Sequence, residues 1–321
     1  MPVLEAVAER HDVVAVVTQP DRPAGRGHKL AATPMKRAAQ ARGLRVLTPE
    51  KLKPFADEAR SLAADAFVVA SYGKIVPQAL LDAVPIAFNV HPSLLPLYRG
   101  ATPLQSAIRD GRTETGITII AMDAGMDTGD VLVQERAPIG PDETYGELHD
   151  RLARRGAELA LDAVDRFANG KLSRTPQREV ARELGISGDE IARTLTRPLR
   201  KEDLAIDWRR APDDVVCLVR SLAPAPLART EYAGEPIKVV HAHAVSLDAL
   251  QDELGGHTPW VSVGLSPSGL LGHELLYAVH PDGAVIVDRL IAPNRSPLSG
   301  PAYVRGKLAV ARARLDAGTG L

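Results

Sequence analysis

Between Asp12 and about Gln134, short β-branched apolar runs alternate with stretches of helical periodicity, and this constrains the fold more than any other feature. Residues 13–18 (VVAVVT), 66–70 (AFVVA), 86–90 (IAFNV), 115–122 (TGITIIAM) and 131–134 read as strands. Residues 34–42, 55–63, 77–83 and 103–110 read as helices, with Pro34, Pro77 and Pro103 at or near the first helical position, where a missing N–H costs nothing. Strands alternating with helices predict an α/β fold with a doubly wound, mostly parallel sheet. The continuously apolar strands suit a sheet covered on both faces. Residues 145–170 predict one long helix with Leu148, Leu152, Leu159, Leu161 and Val164 on its apolar face and Gly170 as its C-cap.

Beyond Gly170 the pattern changes. Residues 171–200 are polar and Arg-rich and read as a linker with an insertion at 180–193 and a short helix near 187–194. Residues 212–222 predict a helix, and 237–243, 260–265, 275–280 and 284–290 predict strands broken by Gly and Pro. The expected organisation is a catalytic domain over 1–170, the linker over 171–200 and a smaller, barrel-like β-rich domain over 201–321. A formal net charge of -1 excludes a globally basic nucleic-acid binder, though not a local basic patch. The single cysteine, Cys217, rules out an intramolecular disulfide and fits a reducing compartment. No apolar run reaches the ~18 residues of a membrane helix. Glu5, Glu9, Arg10 and Asp12 break up any signal peptide. A cytoplasmic monomer is expected.

Chemistry concentrates at the end of the 86–90 strand, which runs through Asn89 and His91 into PSLLP. Strand alternation puts Asn89 and His91 on one side and Val90 on the other, so an amide donor and an imidazole converge on one point. Ligands of open α/β sheets bind outside the carboxyl ends of the strands. The next loop, Asp123-Ala124-Gly125-Met126-Asp127-Thr128-Gly129-Asp130, offers carboxylates able to orient His91, raise its pKa and take up a proton. Taken alone, each element has a plainer explanation: a turn cap at Asn89, a satisfied core histidine, an Asp-rich turn. Asp127-Thr128-Gly129 also matches the aspartic-protease tripeptide, but no second copy exists. Ser71-Tyr72-Gly73-Lys74 matches S-x-x-K without its K-T-G and S-D-N partners. His241 and His243 lack a sequence-near third ligand, so no metal is expected.

Taken together, FNVHPSLLPLYRG over 88–100, ETGIT over 114–118 and MDAGMDTGD over 122–130 resemble the folate-dependent formyltransferases. Within that superfamily, TQPDRPAGRGHKL over 18–30 and KEDLAIDW over 201–208 resemble the methionyl-tRNA branch, and the resemblance spans essentially the whole chain. It implies the formyltransferase fold and 10-formyltetrahydrofolate as co-substrate. It also implies a catalytic triplet of Asn89, His91 and Asp127, with protonated His91 and Asn89 on the oxyanion. Folate contacts are implied at Ser71, Tyr72, Gly73, Ala124, Gly125 and Met126. Initiator methionyl-tRNA contacts are implied at Arg22, Arg26 and Lys29. The chain departs from the family pattern in lacking an opening strand and G-T-P-x-F-A loop, and in reading APAPLA over 223–228 where P-W-P-G-A is usual. The family's T-Y-A-x-K-I segment is reduced to TLTRPL over 194–199. The expectation is that Met1 is not the natural start, or that this form folds poorly. A formyltransferase for a small amine such as an amino-sugar nucleotide, and an inactive RNA- or folate-binding protein, are the competing expectations.

Overall fold

The computed structural model describes residues 1–24, 29–254, 271–272 and 275–316. The strand expected at 260–265 lies outside the described residues. The chain divides into two compact units, Met1–Pro103 with Glu114–Pro138 and His149–Pro198, and Leu104–Thr113 with Ile139–Leu148 and Leu199–Leu321. No helix among the described residues is long and apolar enough to cross a membrane.

The chain opens with α1 (Pro2–Arg10), β1 (Val16–Val17), the hairpin strands β2 (Arg22–Ala24) and β3 (Lys29–Ala31), α2 (Pro34–Ala41) and β4 (Val46–Leu47). α2 starts where Thr33 accepts a hydrogen bond from the Lys36 amide, with Pro34 in the first turn. Then come α3 (Leu52–Ser61), β5 (Ala66–Val69), α4 (Gln78–Leu81) and β6 (Ile86–His91). α3 begins earlier than its periodicity suggested because Pro54 falls in the first turn, where no amide donor is needed. α5 (Pro103–Arg109), β7 (Glu114–Ala121), β8 (Val131–Pro138) and α6 (Tyr145–Ala168) follow. α6 is closed by Gly170, two residues past its end, whose positive φ lets the Lys171 amide bond the Arg166 carbonyl at 2.8 Å.

The sheet is mixed rather than parallel throughout. β1 pairs β4 in parallel as one small sheet; β5 and β6 pair in parallel within a four-stranded sheet ordered β5-β6-β7-β8. β7 runs antiparallel to β6, and β8 antiparallel to β7. The connection from β7 to β8 is too short for the crossover a parallel pair requires. Apolar periodicity records that both faces are covered and says nothing of strand direction. β7 is buried along nearly its whole length. Phe88 on β6 is fully buried and meets Phe167 of α6 edge-on, with ring centroids 6.0 Å apart.

Residues 171–200, read above as a linker, hold α7 (Gln177–Glu183) and α8 (Gly188–Arg193). Within the first unit this stretch makes reciprocal backbone bonds between Val131 and Thr175 (2.8 and 2.9 Å), and the Thr196 amide bonds the Arg99 carbonyl at 2.8 Å.

In the second unit, a helical turn at Lys201–Leu204 leads to α9 (Pro212–Leu222). The strands are β9 (Ala228–Tyr232), β10 (Glu235–Val245), β11 (Leu271–Gly272), β12 (Leu276–His280), β13 (Gly283–Ile291) and β14 (Leu298–Ser299). α10 (Leu247–Glu253) lies among them and α11 (Gly300–Asp316) closes the series. They form an antiparallel sheet ordered β11-β12-β13-β10-β9 with β14 on β13, bent at a bulge in β10 near His241. Trp208, Val219, Leu222, Ile237, Val287 and Leu290 pack in one core cluster, and Leu250, Leu254, Tyr277 and Ile286 in another. The Trp208 indole N–H donates to Thr230 Oγ1 at 2.9 Å.

Candidate active site

The site is built on the carboxyl half of β6. Asn89 and His91 project to one side, and Val90 packs to the other, close beneath Gly156 of α6. Because β7 is antiparallel, its following loop leaves level with Ala87, where the Met122 amide bonds the Ala87 carbonyl at 2.7 Å. That is the opposite end of β6 from the expected sheet edge. The loop turns back along the strand face, and this turn brings Asp127 to Asn89 and His91. Gly129 makes the turn possible: a Cβ there would sit 1.8 Å from the Ala121 carbonyl oxygen. Asp127 itself adopts a left-handed φ of 56°, a conformation that aspartate tolerates better than most residues.

Three groups converge on the Asp127 carboxylate. The Asn89 Nδ2–H donates to Oδ1 at 3.1 Å. The Gly100 amide donates to Oδ2 at 2.9 Å. Nδ1 of His91 faces Oδ2 at 3.6 Å. His91 is 4% exposed, and its Nε2 lies 3.0 Å from the Tyr98 carbonyl. A carbonyl only accepts, so Nε2 carries the proton, and in the neutral ring Nδ1 offers its lone pair toward Asp127. Burial lowers the His91 pKa and outweighs the opposing pull of Asp127 and of the Tyr98 carbonyl, while Arg99 lowers it further. The carboxylate was expected to raise it; strand periodicity does not reveal how deeply the ring is enclosed.

The 92–102 loop supplies the rest of the frame. Thr118, fully buried on β7, donates to the Ser93 carbonyl at 2.7 Å and accepts from the Leu95 amide and from Gln134 Nε2. Two of these three bonds hold the segment that carries Tyr98, Arg99 and Gly100, and Gln134 Nε2 also donates to its Leu95 carbonyl at 2.9 Å. Gly100 has φ of 109°, and a Cβ would lie 2.2 Å from the Thr196 carbonyl oxygen. The implied folate positions lie on two loops. Ser71 and Gly73 are exposed and Tyr72 is half-buried after β5, where Gln19 Nε2 donates to the Tyr72 carbonyl at 3.1 Å. Ala124, Gly125 and Met126 are exposed on the turned-back loop, Met126 by 53%. Arg22 is exposed on β2, and Lys29 lies on β3, where it pairs with Ala24. Arg26 lies outside the described residues.

His241 and His243 share Asp288, their Nδ1 atoms 2.7 and 2.9 Å from its Oδ2. No group of three or more His, Cys, Asp or Glu side chains among the described residues is placed to hold a metal ion. Periodicity missed Tyr98, Arg99 and Gly100, although all three fall inside the motif quoted for the family resemblance. It also missed Gln177, whose only signal was a Pro-Gln pair in a polar stretch.

Residues 3–164 match the Formyl transferase family profile, and residues 198–308 match that of the Formyl transferase C-terminal domain. A methionyl-tRNA formyltransferase of Xylella fastidiosa (strain 9a5c) is 43% identical over 255 residues, covering 78% of this chain and 80% of the relative. One from Chloroflexus aurantiacus (strain ATCC 29366 / DSM 635 / J-10-fl) is 39% identical over 307 residues, covering 94% and 92%. The crystal structure of an N-formyltransferase from Helicobacter canadensis, with folinic acid and dTDP-3-aminofucose, superposes with a TM-score of 0.62 at 17% identity. It covers 89% of this chain and 93% of that one, and at that identity it speaks for the fold alone. The profile matches and near-full-length relatives, set beside the mixed sheet and its curled antiparallel companion, show that the chain belongs to the formyl transferase family.

Proposed function

We propose that this chain transfers the formyl group of 10-formyltetrahydrofolate to the α-amino group of methionyl-initiator tRNA. The observation that carries the reading is the convergence of Asn89, His91 and Gly100 on the Asp127 carboxylate, in a chain 39% identical over 94% of its length to a methionyl-tRNA formyltransferase. The amine nitrogen attacks the formyl carbon and a new C–N bond forms. The formyl oxygen takes up negative charge as the carbon becomes tetrahedral. Asn89 has two Nδ2 protons and spends one on Asp127, which leaves the second for that oxygen. The proton lost by the attacking amine goes to the pair formed by the Asp127 carboxylate and the Nδ1 lone pair of His91. Once protonated, the imidazole becomes a second donor to the oxyanion while Asp127 balances its charge. The formyl carbonyl then re-forms as the bond to N10 of the folate breaks, and N10 takes up the proton held by the Asp127/His91 pair, which returns both side chains to their starting state.

Ser71, Tyr72, Gly73 and Ala124, Gly125, Met126 form the folate-contacting loops in this reading. Arg22 on β2 and Lys29 on β3, together with Arg26, meet the tRNA backbone, and residues 201–321 hold the tRNA body. The chain acts as a cytoplasmic monomer. The test incubates the purified chain with 10-formyltetrahydrofolate and either methionyl-initiator tRNA or an amino-sugar nucleotide. Formylmethionyl-tRNA as the product supports the reading. Formylation of the sugar amine alone would replace it with the small-amine reading, and transfer to neither by folded protein would leave only a binding role.

A further inference from the structure

We infer that Gln177, in the stretch between the two matched family segments, is a positioning residue that fixes the Asp127 carboxylate for proton transfer. The inference rests on the triplet reading given above. Gln177 is 4% exposed, and its amide is fully used. Nε2 donates to the Asp127 carbonyl and to the Gly129 carbonyl, both at 2.8 Å. Oε1 accepts from Arg99 Nε at 3.0 Å and from Arg99 Nη2 at 2.7 Å. The two carbonyls can only accept and the guanidinium can only donate, so the orientation of the amide is unambiguous.

The geometry explains why such a clamp is needed. The 122–130 loop must fold back along β6, and Asp127 sits at positive φ within it. Such backbone persists only where its surroundings over-determine it. Gln177 pins the carbonyls on either side of Thr128, and so fixes the peptide group that follows the Asp127 Cα and the turn beyond it. Its other end holds Arg99, the residue before the Gly100 amide that donates to Asp127 Oδ2. The Arg99 carbonyl is held in turn by the Thr196 amide at 2.8 Å and by Thr196 Oγ1 at 3.0 Å. One side chain thus links the backbone that presents the carboxylate to the segment that binds it. Glutamine suits the position where a carboxylate does not, because two carbonyl acceptors and two guanidinium donors require a group that both donates and accepts.

The test is a double-mutant cycle in the full chain, read by single-turnover formyl transfer to methionyl-tRNA. Gln177→Leu removes both sets of bonds. Gln177→Glu keeps the length and the acceptor for Arg99 but loses the two donors, so it carries the experiment if the leucine variant does not fold. Expected is a fall in turnover of about 10- to 100-fold for either variant, as for a sub-ångström to ångström displacement of a reacting group. KM for methionyl-tRNA should stay within about twofold, since uniform binding is untouched. In an Asp127→Ala background, Gln177→Glu should add no further loss, because it acts only through Asp127. Wild-type turnover in folded Gln177→Glu, or losses that multiply in the double variant, would overturn the inference while leaving the triplet intact. Wild-type turnover in Asp127→Ala would overturn the triplet and, with it, the role of Gln177.

Discussion

Substituting Gly100 by alanine tests the packing around the Asp127 carboxylate at a single methyl group. At φ of 109° the backbone is in a region that alanine adopts only with strain, costing roughly 1–2 kcal/mol. The added Cβ would also lie 2.2 Å from the Thr196 carbonyl oxygen and 2.8 Å from Thr196 Oγ1. Both atoms are fixed, because Thr196 bonds the Arg99 carbonyl through its amide and its hydroxyl, so rotating a side chain cannot relieve the clash. Overpacking of this kind typically costs a further 1–3 kcal/mol or so. The sum, about 2–5 kcal/mol, is a large part of a typical net stability of roughly 5–15 kcal/mol. Melting should therefore fall by on the order of 10 °C. Moving Thr196 or Gly100 also displaces the amide that donates to Asp127, so turnover well below the melting temperature should drop at least about tenfold. Gly111→Ala is the control: its φ is 66°, but nothing lies within 4 Å of the added methyl, so it should carry the backbone cost alone and keep wild-type turnover. The assay pairs differential scanning calorimetry with formyl transfer for both variants. If Gly100→Ala melts no lower than Gly111→Ala and turns over at the wild-type rate, the close approach of Thr196 does not support the site as described.

Three further outcomes follow from the same structure. His91→Gln should change how stability depends on pH. Burial lowers the folded-state pKa of His91, so the unfolded chain binds the proton more tightly, and wild-type stability is lost as pH falls below the unfolded value of about 6.5. Relative to the variant, that loss should reach a slope of at most about 1.4 kcal/mol per pH unit, measured by urea denaturation; parallel curves from pH 7 to pH 5 would contradict it. Thr230→Val strands the Trp208 indole N–H in the second unit and should cost about 1–3 kcal/mol, read as a shift in the urea midpoint; an unchanged midpoint would mean that bond carries no stability. Arg22→Ala should weaken tRNA binding and reduce the steepness of its salt dependence by about one unit of slope; an unchanged slope would remove Arg22 from the phosphate contacts.

Much of the first unit is legible because burial leaves a mark in residue type. The apolar runs that became β5, β6 and β7 are where periodicity puts them, and Asn89 and His91 share a face as strand alternation requires. Direction is not written in that code. β7 and β8 read as a continuation of the parallel series, yet β7 runs antiparallel to both β6 and β8, and because it runs against β6 the 122–130 loop must turn back to reach Asn89. β1 shrinks to Val16–Val17 because it pairs only with the short β4 among the described residues, although its sequence is apolar for longer. Environment is equally invisible: a carboxylate near His91 could be inferred, but the burial that outweighs it could not. Gln177 was hidden for a related reason. A buried amide that satisfies two carbonyls and one guanidinium resembles, in sequence, any polar residue at the start of a helix in an Arg-rich stretch.

Formyl transfer at this site requires Asn89, His91 and Asp127 to act on one reacting centre, and single-turnover formyl transfer by Asn89→Ala, His91→Gln and Asp127→Asn measures this directly. With enzyme in excess over 10-formyltetrahydrofolate and methionyl-tRNA, each folded variant should transfer the formyl group at least about a hundredfold more slowly than the wild type, as expected on losing an oxyanion donor or a proton acceptor. Near-wild-type single-turnover rates in all three, with circular dichroism spectra matching the wild type, would show that formyl transfer does not occur at the Asp127 carboxylate.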